Sequence, residues 1–266
     1  MLATWRLIHD GAGDAAWNMA VDEAILEAVR LGEVPPTLRF YRWTRPAISL
    51  GRSQQWAKVI HLAHCYQRHI PVVQRLTGGK AVLHGHDLTL CAVIPLRCLL
   101  PAHRVNEVHL RIVNALARGL HRLGIDARPA RHADPHALHG THAGCFEYAL
   151  PGDLTSSEGV KLVGGAQYRR AEVVMEQMSI PVEPLPERLR GCLKPWREPP
   201  PSPLQGIPVD ELMRAIAQGF ADEFRVEWQA ALLSAAEVDR AHQLVDKYSI
   251  PLHESMLDTP AEPSFI

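Results

Sequence analysis

RLTGGKAVLHGHDLT, residues 75–89, is the stretch around which the rest of this chain is organised. Its two adjacent glycines let the backbone pass close to a ligand, because no Cβ intrudes and positive φ values are accessible. Arg75 and Lys80 place cations on either side, and Thr77 adds a hydroxyl. The pattern suits a phosphate-bearing or pantetheine-type ligand held partly by backbone N–H groups. It has neither the Walker A nor the GxGxxG spacing, and a plain hairpin turn is the simpler alternative.

Strand-like segments lie on both sides of this stretch. PVVQR (71–75) precedes the glycines, and DLTLCAVIP (87–95) follows Gly85 and His86 with a run of apolar and β-branched residues. Further strands are predicted over TLRFYRW (37–43) and AISLGRS (47–53), and KLVGGAQYRR (161–170) with VVMEQMSIPV (173–182) predicts a hairpin.

Apolar residues recur at helical spacing in two longer segments. Residues 14–31 and 105–123 therefore predict amphipathic helices, which end at Gly32 and Gly124. The segment WREPPPSPLQG (196–206) predicts a semi-rigid linker or a wrap, and two short helices follow it. This mixture of hairpins with a few helices favours an α+β fold with a mostly antiparallel sheet.

The bulk composition is that of a globular protein. Of 266 residues, 47% are hydrophobic and 21% are charged, so the chain can build a full core. We expect a catalytic domain over residues 1–195, with the linker and a short helical extension over 196–266 packed on the same domain. The net charge of −1 predicts no general attraction to nucleic acid or to an anionic membrane. No apolar run is long enough for a spanning helix.

The cysteines point to a reducing compartment. Five are present, an odd number without regular short spacing, which argues against a disulfide framework and against a zinc ribbon. A cytoplasmic location is therefore expected. For Cys65, Cys91, Cys98 and Cys192 we expect small buried side chains.

The fifth cysteine lies in a second unusual segment, GCFEYALPGDLTSSEGVKLVGGAQYR (144–169). Lys161 follows Cys145, and Gly164 and Gly165 come directly after. A thiol is mostly protonated at neutral pH, and a neighbouring ammonium group favours the nucleophilic thiolate. A cysteine–lysine pair is therefore suited to acyl transfer, in which the thiolate attacks a thioester. A buried structural cysteine is the alternative.

Several motifs of this chain resemble those of the biotin/lipoate protein ligase family, and within it the octanoyltransferases of the LipM type. WNMAVDEAILEAV (17–29) looks like the family's N-M-A-x-D-E-A-L-L helix, and TLRFYRWTRPAISLGRSQ (37–54) is similar to its arginine-containing strand pair. QRLTGGKAVLHGHDLTLCAVIP (74–95) looks like its R-R-x-T-G-G-(G/R/K)-A-V-x-H motif, and GVKLVGGAQYR (159–169) is similar to G-x-K-(I/V/L)-x-G-S-A-Q-x-R. Gly144-Cys145-Phe146 resembles the A-C-F of the octanoyltransferase branch.

The resemblance implies a mixed central sheet flanked by helices, as in biotin protein ligases, and an acyl tunnel between the glycine-rich loop and the lysine hairpin. It implies transfer of an octanoyl group from acyl-carrier protein to a lysine of a lipoyl domain, such as the H protein of glycine cleavage, without a cofactor or a metal. Cys145 would carry the acyl group, and Lys161 would stabilise the anion. The implied substrate-binding residues are Arg75, Thr77, Gly78, Gly79, Lys80, Ala81, Val82, His84, Gly164, Gly165, Ala166 and Gln167.

The chain also departs from the family pattern. Glu176-Gln177-Met178 stands where the family has Q-H-G, so a role tied to that histidine does not carry over. Gln74 replaces an arginine and Gly165 replaces a serine. An altered acyl donor or acceptor is one interpretation of these changes.

Two groups of histidines invite a metal hypothesis. RHADPHALHGTH (131–142) contains four, at His132, His136, His139 and His142, but its spacing favours a solvated loop. His84 and His86 lie close to Asp87 in sequence, within the motif that resembles the family's acyl-site loop, and no metal is expected there.

Three other functions are compatible with the same motifs. They are an ATP-dependent lipoate–protein ligase, an amidotransferase that moves octanoyl groups between lipoyl domains, and a non-catalytic relative that binds acyl carriers or lipoyl domains. The cysteine favours transfer over ligation, because a ligase that forms an acyl adenylate needs no thiol.

Overall fold

Eight strands form the main sheet and three form a small second sheet in the computed structural model, which describes residues 2–132 and 143–252. The strands are β1 (Ala3–Gly13), β2 (Thr37–Trp43), β3 (Ala47–Leu50), β4 (Val72–Gln74), β5 (Val82–His84), β6 (Asp87–Pro95), β7 (Ala127–Pro129), β8 (Leu154–Ser156), β9 (Lys161–Arg170), β10 (Val173–Pro181) and β11 (Val226–Ala230). The helices are α1 (Ala15–Leu31), α2 (Trp56–Val59), α3 (Leu62–Gln67), α4 (Val105–Arg122), α5 (Val209–Phe224) and α6 (Ala235–Tyr248).

The main sheet is mostly antiparallel. Its strand order is β11-β1-β2-β6-β10-β9-β8-β7, and only the pairings of β1 with β11 and with β2 are parallel. Strands β6 and β10 occupy its centre, and every residue of both is buried. The predicted α+β class with a mixed, mostly antiparallel sheet is confirmed.

Helices cover both faces of this sheet. Helices α1 and α6 lie on one face, and α4 and α5 lie on the other, each pair enclosing a hydrophobic cluster. Helices α4 and α5 approach each other backbone to backbone, because a Cβ on Gly119 would lie 2.7 Å from the Cα of Ile216. The small sheet, β4-β3-β5, packs with α2 and α3 around a third cluster.

Several local predictions are confirmed. Helix α1 ends at Gly32, which adopts the left-handed conformation with φ 74°. Helix α6 is the second of the two short helices expected after the linker, and it begins with a capping box in which the N–H of Glu237 donates to the hydroxyl of Ser234. The predicted strand at 87–95 coincides with β6.

Other parts of the fold were not expected. The predicted strand over 47–53 ends at Leu50, and strands β1 and β11 were not predicted. Both lie at the parallel side of the sheet, and most residues of β1 alternate irregularly between buried and exposed. Their strand character comes from pairing with neighbours more than from their own pattern.

The proline-rich segment at 196–206 follows the wrap alternative. Ser202 and Leu204 are buried, and Trp196 packs on the cluster of the small sheet. The division into a catalytic domain at 1–195 and an extension at 196–266 stays a prediction. Among the described residues, no helix combines the length and the apolar character needed to cross a bilayer.

Candidate active site

The two chemistry-bearing segments meet through backbone pairing. The N–H of Cys145 donates to the carbonyl oxygen of Ala81 at 2.8 Å, and the N–H of Ala81 donates to that of Ala143 at 3.0 Å. Residues 81 and 144 form a parallel bridge. The end of the glycine-rich loop therefore fixes the backbone of the cysteine.

Lys161, the first residue of β9, holds the cysteine side chain. Its Nζ lies 3.4 Å from the Sγ of Cys145 and 2.8 Å from an Oδ2 oxygen of Asp153. Burial lowers the pKa of Lys161, but its charge interactions and hydrogen bonds with Cys145 and Asp153 raise the pKa by more, so the net shift is upward. Lys161 is therefore an ammonium ion at neutral pH, placed to stabilise a negative charge on sulfur.

Strand β9 passes the sulfur as bare backbone. A Cβ on Gly164 would lie 2.9 Å from the Sγ of Cys145 and 3.1 Å from the ring of Phe146. Only glycine leaves room for both side chains without a shift. Gly164 thus provides the surface against which the thiol packs.

Arg75 stabilises the glycine-rich loop from inside. Its guanidinium group is buried and donates to the carbonyl oxygens of Ser49 at 2.9 Å, Gly78 at 2.6 Å and Lys80 at 2.8 Å, and to the hydroxyl of Thr77 at 3.0 Å. Burial lowers its pKa to about 10, so it stays charged at neutral pH. Its donors are engaged by the protein, which argues against the expectation that this cation binds a phosphate.

His84 belongs to a buried hydrogen-bond network. Its Nδ1 lies 2.8 Å from Asp87 Oδ2, its Nε2 lies 2.8 Å from the hydroxyl of Ser49, and Trp43 stacks on its ring at 3.8 Å. Burial raises the pKa of Asp87, but the charges and hydrogen bonds of its neighbours, His84 first among them, together outweigh burial, so that the pKa lies well below its usual range. Both ring nitrogens of His84 have protein partners, and no cluster of metal ligands occurs among the described residues.

Cys145 lies at the junction of two cavities. The inner one, which we call the slot, is a narrow space of about 30 Å³ between the main sheet, α1 and the small sheet. Its walls include the buried side chains Met19, Tyr41, Trp43 and Val82. The outer one, which we call the chamber, has about 310 Å³ and is walled by the segment that follows β10.

Most of the predicted site residues line one of these cavities. Those that line the slot are Arg75, Gly79, Val82, His84, Cys145, Gly164, Gly165 and Ala166. Ala81, Cys145 and Lys161 line the chamber. Four residues predicted to bind substrate line neither: Thr77, Gly78, Lys80 and Gln167. Thr77 donates to Gln177, Lys80 is exposed, and Gln167 donates to Glu176 on the opposite face of the sheet.

The residues that depart from the family pattern have defined partners. Gln177 donates from Nε2 to Asp22 on α1 at 2.7 Å and accepts from Thr77 at 2.8 Å, so it connects helix α1 to the glycine-rich loop. Glu176 is fully buried and lies 2.6 Å from the Nδ1 of His109 on α4. The position without a histidine is therefore held by a buried residue that joins two elements of the site.

Sequence reasoning missed Asp153 as the partner of Lys161 and His109 as the partner of Glu176. The available signal for Asp153 was its place in the segment 144–169, which also contains the cysteine and the lysine. Nothing in the sequence pointed to His109, because only packing of α4 on the sheet brings it to β10. Of the histidine-rich loop, His132 is exposed, and residues 133–142 lie outside the described residues.

Comparison with known proteins agrees with this geometry. Residues 14–235 match the family described as the lipoyl protein ligase A/B catalytic domain. A protein named octanoyltransferase LipM from Kyrpidia tusciae is 36% identical, with 93% of this chain and 97% of that protein covered. An octanoyltransferase LipM from Moorella thermoacetica is 42% identical over 66% of this chain and 64% of that protein.

Solved structures share the fold at lower identity. A bipartite lipoate protein ligase from Thermoplasma acidophilum has a TM-score of 0.74 at 22% identity, covering 92% of this chain and 93% of that one. A lipoate-protein ligase A bound with ATP has a TM-score of 0.74 at 23% identity, covering 93% and 95%. By fold, by motifs and by sequence match, this chain belongs to the lipoyl protein ligase A/B catalytic domain family.

Proposed function

We propose that this chain is an octanoyltransferase that moves an octanoyl group from acyl-carrier protein, through a thioester on Cys145, to a lysine of a lipoyl domain or of H protein. The observation that carries the proposal is the 3.4 Å contact between Cys145 and Lys161 at the junction of the slot and the chamber. The octanoyltransferases among its relatives support the choice of acyl group.

In the first half-reaction, the thiolate of Cys145 attacks the carbonyl carbon of the donor thioester. The bond between that carbon and the carrier sulfur breaks, and the carrier leaves as a thiol after taking up the proton that Cys145 had lost. The ammonium group of Lys161 stabilises the thiolate before attack and the developing oxyanion during it. Asp153 keeps this ammonium group charged and in place.

In the second half-reaction, the neutral amine of the acceptor lysine attacks the Cys145 thioester. The carbon–sulfur bond breaks and an amide forms, the sulfur leaves as a thiolate beside Lys161, and the proton lost by the attacking nitrogen passes to solvent. The donor thioester is already activated, so the transfer is proposed to need no cofactor. The five cysteines are free, which suits the proposed cytoplasmic location.

The slot is the proposed site of the octanoyl tail. It is narrow in this structure, and the tail enters as side chains such as Met19 move aside. Burying the tail at about 0.8 kcal/mol per methylene contributes roughly 5 kcal/mol to binding. Its apolar inner wall at Tyr41 and Trp43 suits a chain without polar groups.

Intact-mass analysis tests the proposal directly. Exposure to octanoyl-acyl-carrier protein should add one octanoyl group to the chain, and Cys145→Ser should abolish the stable adduct. Lys161→Ala should slow acylation by about a hundredfold, because the thiolate and the oxyanion lose their charge partner. Cys98→Ser is the control, since this half-buried cysteine lies outside both cavities and should leave the adduct unchanged.

Transfer by the Cys145→Ser variant at the normal rate would exclude the covalent route. A reaction that depends on free lipoate and ATP, with release of pyrophosphate, would instead identify a ligase. Transfer only from octanoyl-H protein would identify the amidotransferase.

A further inference from the structure

The chamber lies between Cys145 and the protein surface. Its inner wall consists of apolar side chains, including Leu83, Leu193 and Trp196. Charged residues at its outer edge, Arg190 and Arg197 among them, are exposed. A volume of about 310 Å³ is at the lower end for a small-molecule site, so it suits a slender, flexible chain more than a bulky ring system.

The chamber has a fixed wall. The N–H groups of Val182 and Glu183 donate to the carbonyl oxygen of His86 at 2.9 and 3.0 Å, which turns the chain away from β10. The N–H of Lys194 donates to Val59 at 2.8 Å, and the buried Leu204 anchors the end of the segment. The proline-rich segment is therefore part of a built site, since both of its ends are hydrogen-bonded or buried in the core.

One buried polar atom at the chamber has no hydrogen-bond partner among the residues that the structure describes. His86 is 7% exposed and lines the chamber, and its Nδ1 is buried without a hydrogen bond. Burial lowers the pKa of His86, so its ring is neutral at neutral pH, with one nitrogen that donates and one that accepts. A buried polar atom of this kind costs free energy unless a ligand satisfies it.

The position of Cys145 decides which part of the donor each cavity receives. The slot is narrow, about 30 Å³, and buried side chains of α1 and β2 form its inner wall, whereas the chamber has about 310 Å³ and extends to exposed residues such as Arg190 and Arg197. A carrier protein is too large to enter either cavity, so the part of the donor that connects the thioester to it must extend through the chamber. Only the acyl tail can then occupy the slot.

We propose that the chamber binds the pantetheine arm of the donor, an amide-bearing thiol chain, and that His86 hydrogen-bonds to one of its amides. This inference rests on the proposed octanoyl transfer and adds a binding site to it. The apolar wall contacts the methyl and methylene groups of the arm, and the ring of His86 meets its polar groups. The sequence suggested a pantetheine-type ligand at the glycine-rich loop, whereas the proposed site of the arm is the chamber, on the other side of Cys145.

Two small donors distinguish the contribution of the arm from that of the acyl group. Octanoyl-pantetheine carries both amides, and the ethyl thioester of octanoic acid carries none, so their acylation rates on Cys145 report what the arm contributes. We expect kcat/KM of the full-length chain to be about tenfold or more higher for octanoyl-pantetheine than for the ethyl thioester. One buried hydrogen bond to the arm is enough for a difference of this size.

Three variants test the site. His86→Phe keeps the ring volume and removes the polar atoms, and it should lower kcat/KM for octanoyl-pantetheine about tenfold while the ethyl thioester stays within about twofold. Gln205→Trp, an exposed residue at the chamber, should act in the same direction by filling space. Gln229→Trp, an exposed glutamine on β11 outside both cavities, is the matched control and should change neither rate.

The outcomes are distinguishable. If neither donor acylates Cys145, the proposed function fails. If both donors acylate it, and the ratio of their kcat/KM values is the same in the unsubstituted chain, in His86→Phe and in Gln205→Trp, the chamber does not bind the arm. If Gln205→Trp slows both donors equally, the acyl tail occupies the chamber and the assignment of the two cavities is wrong.

Discussion

Gly164 lies directly beside the nucleophile. A Cβ atom at this position would lie 2.9 Å from the sulfur of Cys145 and 3.1 Å from the ring of Phe146. Cys145 cannot move freely, because its backbone is paired with Ala81 and its sulfur is held by Lys161. One missing methyl group thus sets the position of the thiol.

We therefore expect Gly164→Ala to displace the sulfur from Lys161. Overpacking of this size costs about 1–3 kcal/mol, and acylation by octanoyl-acyl-carrier protein should slow by about tenfold or more. The measurement is the single-turnover rate of the octanoyl adduct by mass, with thermal unfolding to confirm that the fold is retained. A normal rate in a folded variant would show that the close contact does not position the nucleophile.

At the scale of elements, α4 is joined to β10 by a partly buried contact between a histidine and a glutamate. His109 on α4 and Glu176 on β10 are 2.6 Å apart, and Gln167 on β9 donates to the same carboxylate at 2.9 Å. Burial lowers the pKa of His109, but the hydrogen bond and the charge of Glu176 outweigh burial and raise it; Asp153 raises it further. The pair lies directly behind Gly165, so it supports the backbone of the site.

The raised pKa of His109 predicts a loss of stability with rising pH. The folded protein holds the proton more tightly than the unfolded chain, so the contribution is complete below about pH 6.5 and disappears as the pH passes the higher folded value. Between about pH 6 and pH 9, the free energy of unfolding should fall by about 1 kcal/mol more in the natural chain than in Glu176→Gln.

Urea unfolding at several pH values measures this difference. Glu158→Gln, which removes an exposed acid, is the control and should follow the natural chain. Parallel curves for the natural chain and Glu176→Gln would show that the pair does not titrate in this range.

At the scale of the molecule, the two ends of the described chain close one core. Strand β11 pairs in parallel with β1, Trp5 of β1 stacks on Phe224 of α5 at 5.0 Å, and Arg6 forms a buried ion pair with Glu237 of α6. Helix α5 packs on α4, which in turn positions His109 behind the site. The segment after residue 195 is therefore joined to the rest of the described chain through the core.

Phe220→Ala should accordingly destabilise the whole molecule. Its ring is fully buried between α4 and α5, and removing a buried phenylalanine costs about 3–5 kcal/mol, a large part of the stability of an ordinary domain. Leu232→Ala, at a residue that is 82% exposed, should change the free energy of unfolding by less than about 0.5 kcal/mol. Denaturant unfolding compares the two, and equal changes would mean that the C-terminal part is not integral to the fold.

The sequence by itself determined the long regular elements and the chemistry. Helices α1 and α4 and strands β6, β9 and β10 follow their own hydrophobic pattern closely, because each buries a face or a whole strand that local spacing reveals. The motifs around Gly78 and Lys161 identified the family and the two segments of the site. Cys145 stood out because a lysine, Lys161, follows it in the same segment and a double glycine comes directly after that lysine.

Only the tertiary structure decided how these parts meet. Strands β1 and β11 are recognisable only when paired, and Asp153, His109 and His86 acquire their roles only from neighbours distant in sequence or hidden by packing. Only the structure shows that the guanidinium group of Arg75 donates to the glycine-rich loop itself. It also shows that the proline-rich segment lines the cavity next to Cys145. A sequence pattern records which face of an element is apolar, whereas the partner that covers it is fixed by long-range packing.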